Sequence, residues 1–317
     1  MVDDRSIIVS LTGGLGNQLF QLANALNLDS NREIRLEWAI GKPRTNSAGL
    51  PEICSFNLPS RVKILEYKSS PWIVSKSSGY VLRQGVNPKF FEKSYLYTRV
   101  VRKVAESVIS IWANKKINLS VCEGTGYTKL DLSGNTNWII GYFQTYIPLN
   151  DLVVLEELRK MKLVDQSESL LKLVEIAKIE KPIIVHVRLG DYRNEKLFGI
   201  PEEKYYEKAI GKLMEKYPES KLWIFTDEEE GARKIISPVF GDDARWILDV
   251  DGSSATTLLA MQLGIAYVIA NSTFSWWAAA LSQATKSDII APRPWFRFEK
   301  EPLELVPILW HRMSAWS

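Results

Sequence analysis

The hydrophobic pattern at the start of the chain predicts a strand, a glycine turn, a helix and a second strand. The apolar run Ile7 to Leu11 is followed by glycines, and apolar residues then recur at helical spacing from about Leu15 to Leu28. The next apolar run, Ile34 to Trp38, has the length of a strand. Strand, helix and strand in this order predict that the two strands pair in parallel.

The middle of the chain, from about residue 40 to residue 135, is rich in Pro, Gly, Ser and aromatic residues, and its pattern is irregular. It contains one basic amphipathic helix, predicted from about Tyr97 to Trp112. Asn137 to Gln144 is predicted to be a strand that runs into a loop. The stretch that follows is a predicted helix with Asn150 or Asp151 as its cap.

Strands and helices alternate cleanly in the second half of the chain, after a helix predicted over about Ser167 to Ala177. This alternation is typical of a nucleotide-binding α/β domain with a parallel sheet. The chain has 317 residues, enough for two domains that each bury a core, and we divide it into residues 1–165 and 166–317. The predicted segments of the second domain are IIVHV, EEKYYEKAIGKLMEKY, LWIFT, EEEGARKII, RWILD, SSATTLLAMQL, YVIA, FSWWAAALSQA and DIIAP.

The composition, 46% hydrophobic and 24% charged, is that of a globular chain rather than a disordered one. The 40 Lys and Arg nearly balance the 37 Asp and Glu, and no run of like charges resembles a nucleic-acid tail, so we expect no nucleic-acid partner. The start is acidic where a signal peptide is basic, and no stretch approaches eighteen uninterrupted apolar residues. We therefore expect a cytoplasmic protein.

Cysteine and histidine are scarce, which bears on metal sites and disulfides. Cys54 and Cys122 lie in segments without metal-ligand spacing, and His186 and His311 are the two histidines of the chain. A structural zinc site is therefore not expected. A disulfide is not expected either, because a cytoplasmic protein keeps its thiols reduced.

Four polar clusters follow predicted strands, and active sites of open α/β sheets lie outside the carboxyl ends of their strands. The clusters therefore suggest one cleft between two domains. They are TGGLGNQ (Thr12 to Gln18), HVRLGDY (His186 to Tyr192), FTDE (Phe225 to Glu228) and ANSTFSWW (Ala270 to Trp277).

The first cluster partly matches a dinucleotide-binding fingerprint. Gly14 and Gly16 give the GxG, and Glu37 stands about where a ribose-binding acid would. However, Leu19 occupies the position of the third glycine. A Rossmann-type NAD(P)-dependent oxidoreductase is therefore one alternative, and a tight turn with Asn17 capping the helix is the structural one.

HVRLGDY places ionisable groups at the end of a strand. Alternation would put His186 and Arg188 on one face, and Gly190 would allow the turn. An arginine suits a diphosphate because its planar fork stays charged and binds two oxygens. The alternative is an internal ion pair of Arg188 with Asp191.

The last two clusters also have two interpretations each. Asn271, Ser272 and Thr273 begin a helix after a strand, which favours an anion site, although Ser and Thr also cap buried helices. Asp227 ends a strand, where it would accept hydrogen bonds from a purine base or cap the next helix. Asp249 and Asp251 form an Asp-x-Asp that binds a divalent cation in one class of sugar-nucleotide transferases, but they precede a helix, so we favour capping.

Taken together and in this order, GGLGNQLFQLANAL, GYFQ, HVRLGDY, FTDE and IANSTFSWWAAAL resemble the family 11 glycosyltransferases, the α-1,2-fucosyltransferases that use GDP-fucose. The match spans about residues 7 to 295. It implies an α/β GT-B-like fold of two Rossmann-like domains facing a cleft, the first on the acceptor side and the second binding the GDP-sugar. It also implies an inverting transfer without a metal or other cofactor.

The resemblance implies a galactose-containing surface glycan as acceptor, assembled on a lipid carrier, and leaves room for peripheral contact with the inner membrane. One departure is Leu189, where the family has a second Arg. A non-catalytic, Trp-rich sugar-binding protein is a further alternative. By motif, the catalytic residues are His186, Arg188 and Asp191, with His186 and Asp191 both candidates for the general base, and the donor-binding residues are Gly14, Asn17, Gln18, Arg188, Asp227, Asn271, Ser272 and Thr273.

Overall fold

A computed structural model describes residues 6–65, 74, 76, 79–81, 95–114, 116–122, 124–130, 132, 136–193, 198–240, 244–298 and 300–316, without the side chains of 95–99, 191 and 237–239. The chain forms two compact units. Unit 1 comprises Met1–Lys162 and Pro302–Leu305, and unit 2 comprises Leu163–Glu301 and Val306–Ser317. The return of Pro302–Leu305 to the first unit has no signal in the sequence pattern.

Unit 1 is built on a five-stranded sheet in which every adjacent pair of strands is parallel. The strand order is β3-β2-β1-β5-β4. β1 and β5 are buried along their whole length, because the apolar runs predicted from the sequence lie in the middle of the sheet. The strands are β1 (Ile7–Ser10), β2 (Ile34–Glu37), β3 (Val62–Ile64), β4 (Ile117–Val121) and β5 (Thr136–Ile140).

Three helices are described in unit 1: α1 (Leu15–Leu28), α2 (Tyr95–Trp112) and α3 (Leu152–Arg159). The turn into α1 needs Gly13, which has φ +72°, a conformation that side chains strongly disfavour. α3 begins as predicted, because the Asp151 carboxylate accepts a hydrogen bond from the Val153 N–H.

Unit 2 has a six-stranded sheet of order β11-β10-β9-β6-β7-β8, again with parallel neighbours. Its core packs apolar strand residues against apolar faces of the helices. The strands are β6 (Ile183–Val187), β7 (Leu222–Thr226), β8 (Ala244–Ile247), β9 (Ala266–Val268), β10 (Ile289–Arg293) and β11 (His311–Ser314). The helices are α4 (Glu168–Glu180), α5 (Glu203–Lys216), α6 (Glu229–Phe240), α7 (Ser254–Met261) and α8 (Thr273–Leu281).

The predicted fold class is confirmed: both units are α/β, Rossmann-like structures with parallel sheets. In unit 2 the chain builds β6, β7 and β8 toward one edge and then continues with β9 on the other side of β6. The strand order therefore reverses between β6 and β9, which is where open α/β sheets form a crevice at their carboxyl ends. In unit 1 the chain builds β1, β2 and β3 toward one edge, continues with β4 at the other edge, and then places β5 between β4 and β1.

Three strands were not predicted. β3 has only three residues, and β4 lies in the irregular middle segment. β11, with the sequence HRMS, is an edge strand that pairs only with β10 among the described strands. Short and polar edge strands lack the alternation or the apolar run on which a sequence-based prediction depends.

No helix in the described part of the chain is both long enough and apolar enough to cross a membrane.

Glu37 is a buried carboxyl group at the end of β2, with no exposed surface. It accepts hydrogen bonds from the Ser10 hydroxyl and from the Ile40 N–H, the latter at 3.2 Å. Ser10 in turn accepts a hydrogen bond from the indole of Trp138 at 2.8 Å. Burial outweighs these hydrogen bonds and raises the pKa of Glu37 to about 7.

The raised pKa of Glu37 predicts a pH-dependent stability. Protonated Glu37 stabilises the folded state. This contribution to the unfolding free energy is fully present below the unfolded-state pKa, near 4.5, and is lost as the pH rises through about 7. Relative to Glu37→Gln, the wild type should lose about 3 kcal/mol of unfolding free energy between pH 4 and pH 8. Urea unfolding of both proteins at several pH values measures the difference. A difference that stays constant with pH would show that Glu37 titrates normally.

Candidate functional site at the carboxyl ends of the strands

The loops after β6 and β9 lie next to each other at the switch point of unit 2. β6 and β9 are parallel neighbours, with Val185 opposite Val268. After β6 the chain continues into Arg188, and after β9 it reaches Asn271 and Ser272 before α8 begins. Two of the four predicted clusters are therefore brought together.

Arg188 forms an ion pair with Asp227, whose Oδ2 lies 3.2 Å from Arg188 Nη1. The other oxygen of Asp227 accepts the Leu189 N–H at 2.9 Å. The expected internal partner, Asp191, begins a short 3₁₀ turn, but its side chain lies outside the described residues. Both oxygens of Asp227 thus serve the loop after β6, a use that the purine-base hypothesis did not anticipate.

The Arg188–Asp227 pair remains open to solvent. The two side chains are 22% and 24% exposed. A guanidinium has five N–H donors in a fixed plane, so a single carboxylate does not use all of them. The pair with Asp227 orients the guanidinium at the carboxyl end of β6.

His186 is buried near this pair, with 5% of its surface exposed. Burial, aided by the charge of Arg188 and opposed by that of Asp227, lowers the pKa of His186 to about 3. Its Nδ1 atom is buried and has no hydrogen-bond partner among the described residues. A histidine with this pKa is neutral at physiological pH and is a weak base, so the geometry does not favour His186 as general base.

The N-terminus of α8 is the second feature of the loop after β9. Ser272 is the N-cap, and its hydroxyl accepts the Phe274 N–H at 3.3 Å. Thr273 is half-buried at the first helical position, and its hydroxyl has no hydrogen-bond partner in the described part of the chain. The capping interpretation is confirmed for Ser272. The anion site at the first-turn N–H groups and Thr273 stays a prediction.

The side chain of Asn271 is 2% exposed and is hydrogen-bonded through its nitrogen. This nitrogen donates to the carbonyl oxygens of Phe198 and Gly199, each at 3.0 Å. Its Oδ1 atom is buried and has no hydrogen-bond partner in the described part of the chain. Asn271 therefore holds the main chain at Phe198 and Gly199, and its contact with the phosphate end of the donor stays a prediction.

In unit 1, the cap of α1 is not the residue that the sequence predicted. Gly14, not Asn17, is the N-cap, and the Leu15 N–H donates to the carboxylate of Glu52 at 2.6 Å. Asn17 is half-buried, and its oxygen accepts a hydrogen bond from the Gln144 side chain at 3.1 Å. Gln144 follows β5, so this bond joins the first turn of α1 to the chain that follows β5.

Gln18 is fully buried, which contradicts the expectation that it faces a cleft. Its nitrogen donates to the carbonyl oxygens of Gly13 and Arg44, both at 3.0 Å, and its oxygen accepts the Ile53 N–H at 2.9 Å. Each polar atom of the side chain thus fixes a loop. Gln21, which was not predicted, does the same between Thr12 and Gly141.

Glu37 cannot act as the ribose-binding acid of a dinucleotide site. Glu37 is buried beneath Ser10 and Trp138 and cannot reach a ribose. Without this carboxylate, the Gly14 and Gly16 pattern is a turn into a helix, and the oxidoreductase alternative is not supported.

Asp249 and Asp251 lie in a turn that precedes α7. Asp249 accepts the Gly252 N–H at 3.0 Å, and Asp251 is hydrogen-bonded by Ser167, which helps to lower the pKa of Asp251. The cap of α7 is Ser253. The described residues contain no group of three or more His, Cys, Asp or Glu side chains that could hold a metal ion.

A cavity of about 530 Å³ lies beside Asp249 and Asp251, at the end of β8. It is lined by Lys172 and Trp246 among others, but not by Arg188 or α8. It is therefore separate from the switch point.

Solved structures of glycosyltransferases are similar to this chain at low sequence identity. The fucosyltransferase NodZ from Bradyrhizobium is 14% identical, with 88% of this chain and 94% of that chain covered and a TM-score of 0.48. A family 9 glycosyl transferase from Veillonella parvula is 13% identical, with 99% and 86% covered and a TM-score of 0.49. Likenesses at this level carry no argument about function.

Sequence relatives cover nearly the whole chain. An α-1,2-colitosyltransferase from Escherichia coli is 26% identical, with 97% of this chain and 99% of the relative covered. The O-antigen biosynthesis glycosyltransferase WbnK of Escherichia coli is also 26% identical, with 90% and 93% covered. The sequence model of glycosyl transferase family 11 matches residues 110–304, which is more than half of the chain. The predicted resemblance is confirmed, and the chain belongs to glycosyl transferase family 11.

Proposed function

We propose that this family 11 glycosyltransferase is an inverting, metal-independent α-1,2-fucosyltransferase. It transfers fucose from GDP-fucose to the 2-hydroxyl of an acceptor sugar, with galactose in a surface glycan as the expected acceptor. The observation that carries the proposal is the position of Arg188 and the N-terminus of α8 on the two loops that flank the switch point of unit 2.

The chemistry of the transfer explains why these groups matter. The bond between C1 of the sugar and the β-phosphate oxygen breaks while the acceptor hydroxyl attacks from the opposite face, so negative charge grows on the GDP leaving group. Arg188 and the first-turn N–H groups of α8 are suited to stabilise that charge, because they are held in place before the ligand arrives. Thr273 adds a hydroxyl donor at the same helix end.

The acceptor hydroxyl must lose a proton. With His186 buried and only weakly basic, Asp191 is the residue we propose as proton acceptor. An oxocarbenium-like transition state weakens the requirement for a strong base, because the sugar carbon itself carries positive charge.

Further proposed substrate contacts come from the motifs and their geometry. Ser272 and Thr273 would lie at the phosphate end of the donor, and Asp227 would act by holding Arg188. On unit 1, Asn17 and the backbone of Gly14 are proposed contacts, while Gln18 supports their loop from beneath. No described residue identifies the acceptor sugar.

We also propose that α2 contacts the inner membrane on its cytoplasmic side, where a lipid-linked acceptor would lie. Its outer face exposes Val100, Val104 and Ile111, which are 55%, 54% and 80% exposed. Residues 95–116 include five Lys or Arg and one Glu, and residues 1–162 hold 21 basic against 14 acidic residues, whereas residues 163–317 hold 19 against 23. Exposed apolar groups on a basic helix favour an anionic lipid surface.

Arg188→Ala should lower the rate of fucosyl transfer by about a hundredfold or more, because it removes a preorganised donor to the leaving group. The melting temperature should change little, since the side chain is partly exposed. Arg193→Ala is the matched control, because Arg193 is in the same loop and is also paired with an acid, Glu228, at 2.5 Å. Unfolding of Arg188→Ala without a separate loss of GDP binding would support a purely structural ion pair.

Calorimetric titration should show that the protein binds GDP in preference to UDP, ADP and NAD, and that EDTA does not weaken binding. EDTA should have no effect because the proposed diphosphate site uses Arg188 and backbone N–H groups instead of a cation. Loss of binding in EDTA that Mn²⁺ restores would revive a metal site. Donor assays should include a colitose donor as well as GDP-fucose, because one relative is named for colitosyl transfer.

Sedimentation with vesicles tests the α2 proposal. Wild-type protein should bind phosphatidylglycerol vesicles more tightly than phosphatidylcholine vesicles. The double variant Val104→Glu, Ile111→Glu should weaken that binding about thirtyfold or more, because each change removes an apolar contact and adds repulsion on the order of 1 kcal/mol. Ile179→Glu on α4, at an 83% exposed position, is the control. Equal loss in the control would show that α2 is not the contact surface.

A further inference from the structure

Tyr192 links the two loops that flank the switch point of unit 2. It lies in the 3₁₀ turn after β6, four residues beyond Arg188. Its hydroxyl donates to the carbonyl oxygen of Asn271 at 3.1 Å. Asn271 immediately precedes Ser272, the N-cap of α8, so this hydrogen bond ties the Arg188 loop to the start of the helix.

The side chain of Asn271 makes a second connection, to residues that follow Tyr192 in the chain. Its side-chain amide donates to the carbonyl oxygens of Phe198 and Gly199. Asn271 is therefore bonded to Tyr192 through its main chain and to Phe198 and Gly199 through its side chain.

The ring of Tyr192 also contacts the proposed ligand-binding cation. The guanidinium carbon of Arg188 lies 5.8 Å from the centre of the Tyr192 ring, within the range of a cation–π interaction. On another side, the ring of Phe198 is 5.3 Å away between centres. One side chain thus touches Arg188 with its ring and the loop of α8 with its hydroxyl.

We infer that Tyr192 is a positioning residue that sets the distance between the Arg188 guanidinium and the N-terminus of α8. This inference rests on the proposed function, in which those two groups bind the diphosphate of the donor. A diphosphate has a fixed span, so a pair of donors held at the matching separation binds it without first having to be ordered. Tyr192 itself does not touch the ligand in this scheme.

The effect of Tyr192 should be confined to binding of the diphosphate. Removing the Tyr192 hydroxyl keeps both Arg188 and α8 but lets the distance between them vary. The free energy needed to fix that distance then reduces the affinity for the diphosphate. A single hydrogen bond of this kind corresponds to a change of about three- to tenfold in affinity. Recognition of the nucleoside should not change.

The test is Tyr192→Phe, which keeps the ring and removes the hydroxyl, studied as the full chain. Calorimetry with GDP and with guanosine should show GDP affinity reduced about three- to tenfold and guanosine affinity unchanged. kcat/KM for GDP-fucose should fall by the same factor, with the acceptor KM unaltered. Tyr192→Leu, which also removes the ring beside Arg188, should have the larger effect.

Tyr217→Phe is the matched control. The Tyr217 hydroxyl is also hydrogen-bonded, to Asp288 at 2.6 Å, but Asp288 immediately precedes β10 and so lies at the amino end of that strand. This variant should keep wild-type GDP affinity even if its melting temperature falls. A structural role for Tyr192 would lower kcat through a loss of folded enzyme and leave both affinities unchanged.

The outcomes separate the inference from the function on which it rests. If the wild type binds GDP, Arg188→Ala loses that binding and Tyr192→Phe keeps it, then the positioning role is wrong and the proposed function stands. If GDP and guanosine affinities fall together in Tyr192→Phe, the inference is also wrong, because the effect is not confined to the diphosphate. If the wild type does not bind GDP, the proposed function fails and the inference fails with it.

Discussion

The ion pair between Arg188 and Asp227 is the interaction on which the rest of the candidate site depends. It joins the carboxyl ends of two adjacent strands, β6 and β7, and the same carboxylate also receives the Leu189 N–H. A partly exposed pair of this kind adds little to stability by itself. The pair instead fixes the direction of the guanidinium. Its two charges also act on the pKa of the buried His186.

Polar side chains inside both units serve the loops rather than the core. Gln18 and Gln21 are fully buried on α1, yet their amide groups satisfy main-chain groups of four different loop segments. In unit 2 the side-chain nitrogen of Asn271 also bonds to main-chain carbonyl groups, while its oxygen has no partner in the described part of the chain. The buried amides of Gln18 and Gln21 are tolerated because they are hydrogen-bonded, and the benefit is a set of fixed loops at the carboxyl ends of the strands. Fixed loops suit a site whose hydrogen-bond donors must be in place before charge develops.

The fold was largely predictable from the sequence because parallel strands are buried on both faces and leave continuous apolar runs, as IIVS in β1 and IIVHV in β6 do. The positions of the clusters followed from the same rule. Individual side-chain roles did not, because the direction of a buried amide depends on loops that are distant in sequence. Gln18 meets Ile53 across 35 positions, and no local pattern carries that information.

Leu189 stands where the motif resemblance implies a second Arg, and its surroundings in the structure are apolar. The side chain is 2% exposed and belongs to the hydrophobic cluster of unit 2. A Cβ atom added at Gly231 would lie 2.7 Å from Leu189 Cδ1 and 2.6 Å from side-chain atoms of Arg193 and Glu228, so the leucine shares the space that this glycine leaves open. The main chain of Leu189 donates to Asp227. The side chain of residue 189 therefore contributes to packing beneath the loop, while the contact with Asp227 needs only the Leu189 N–H.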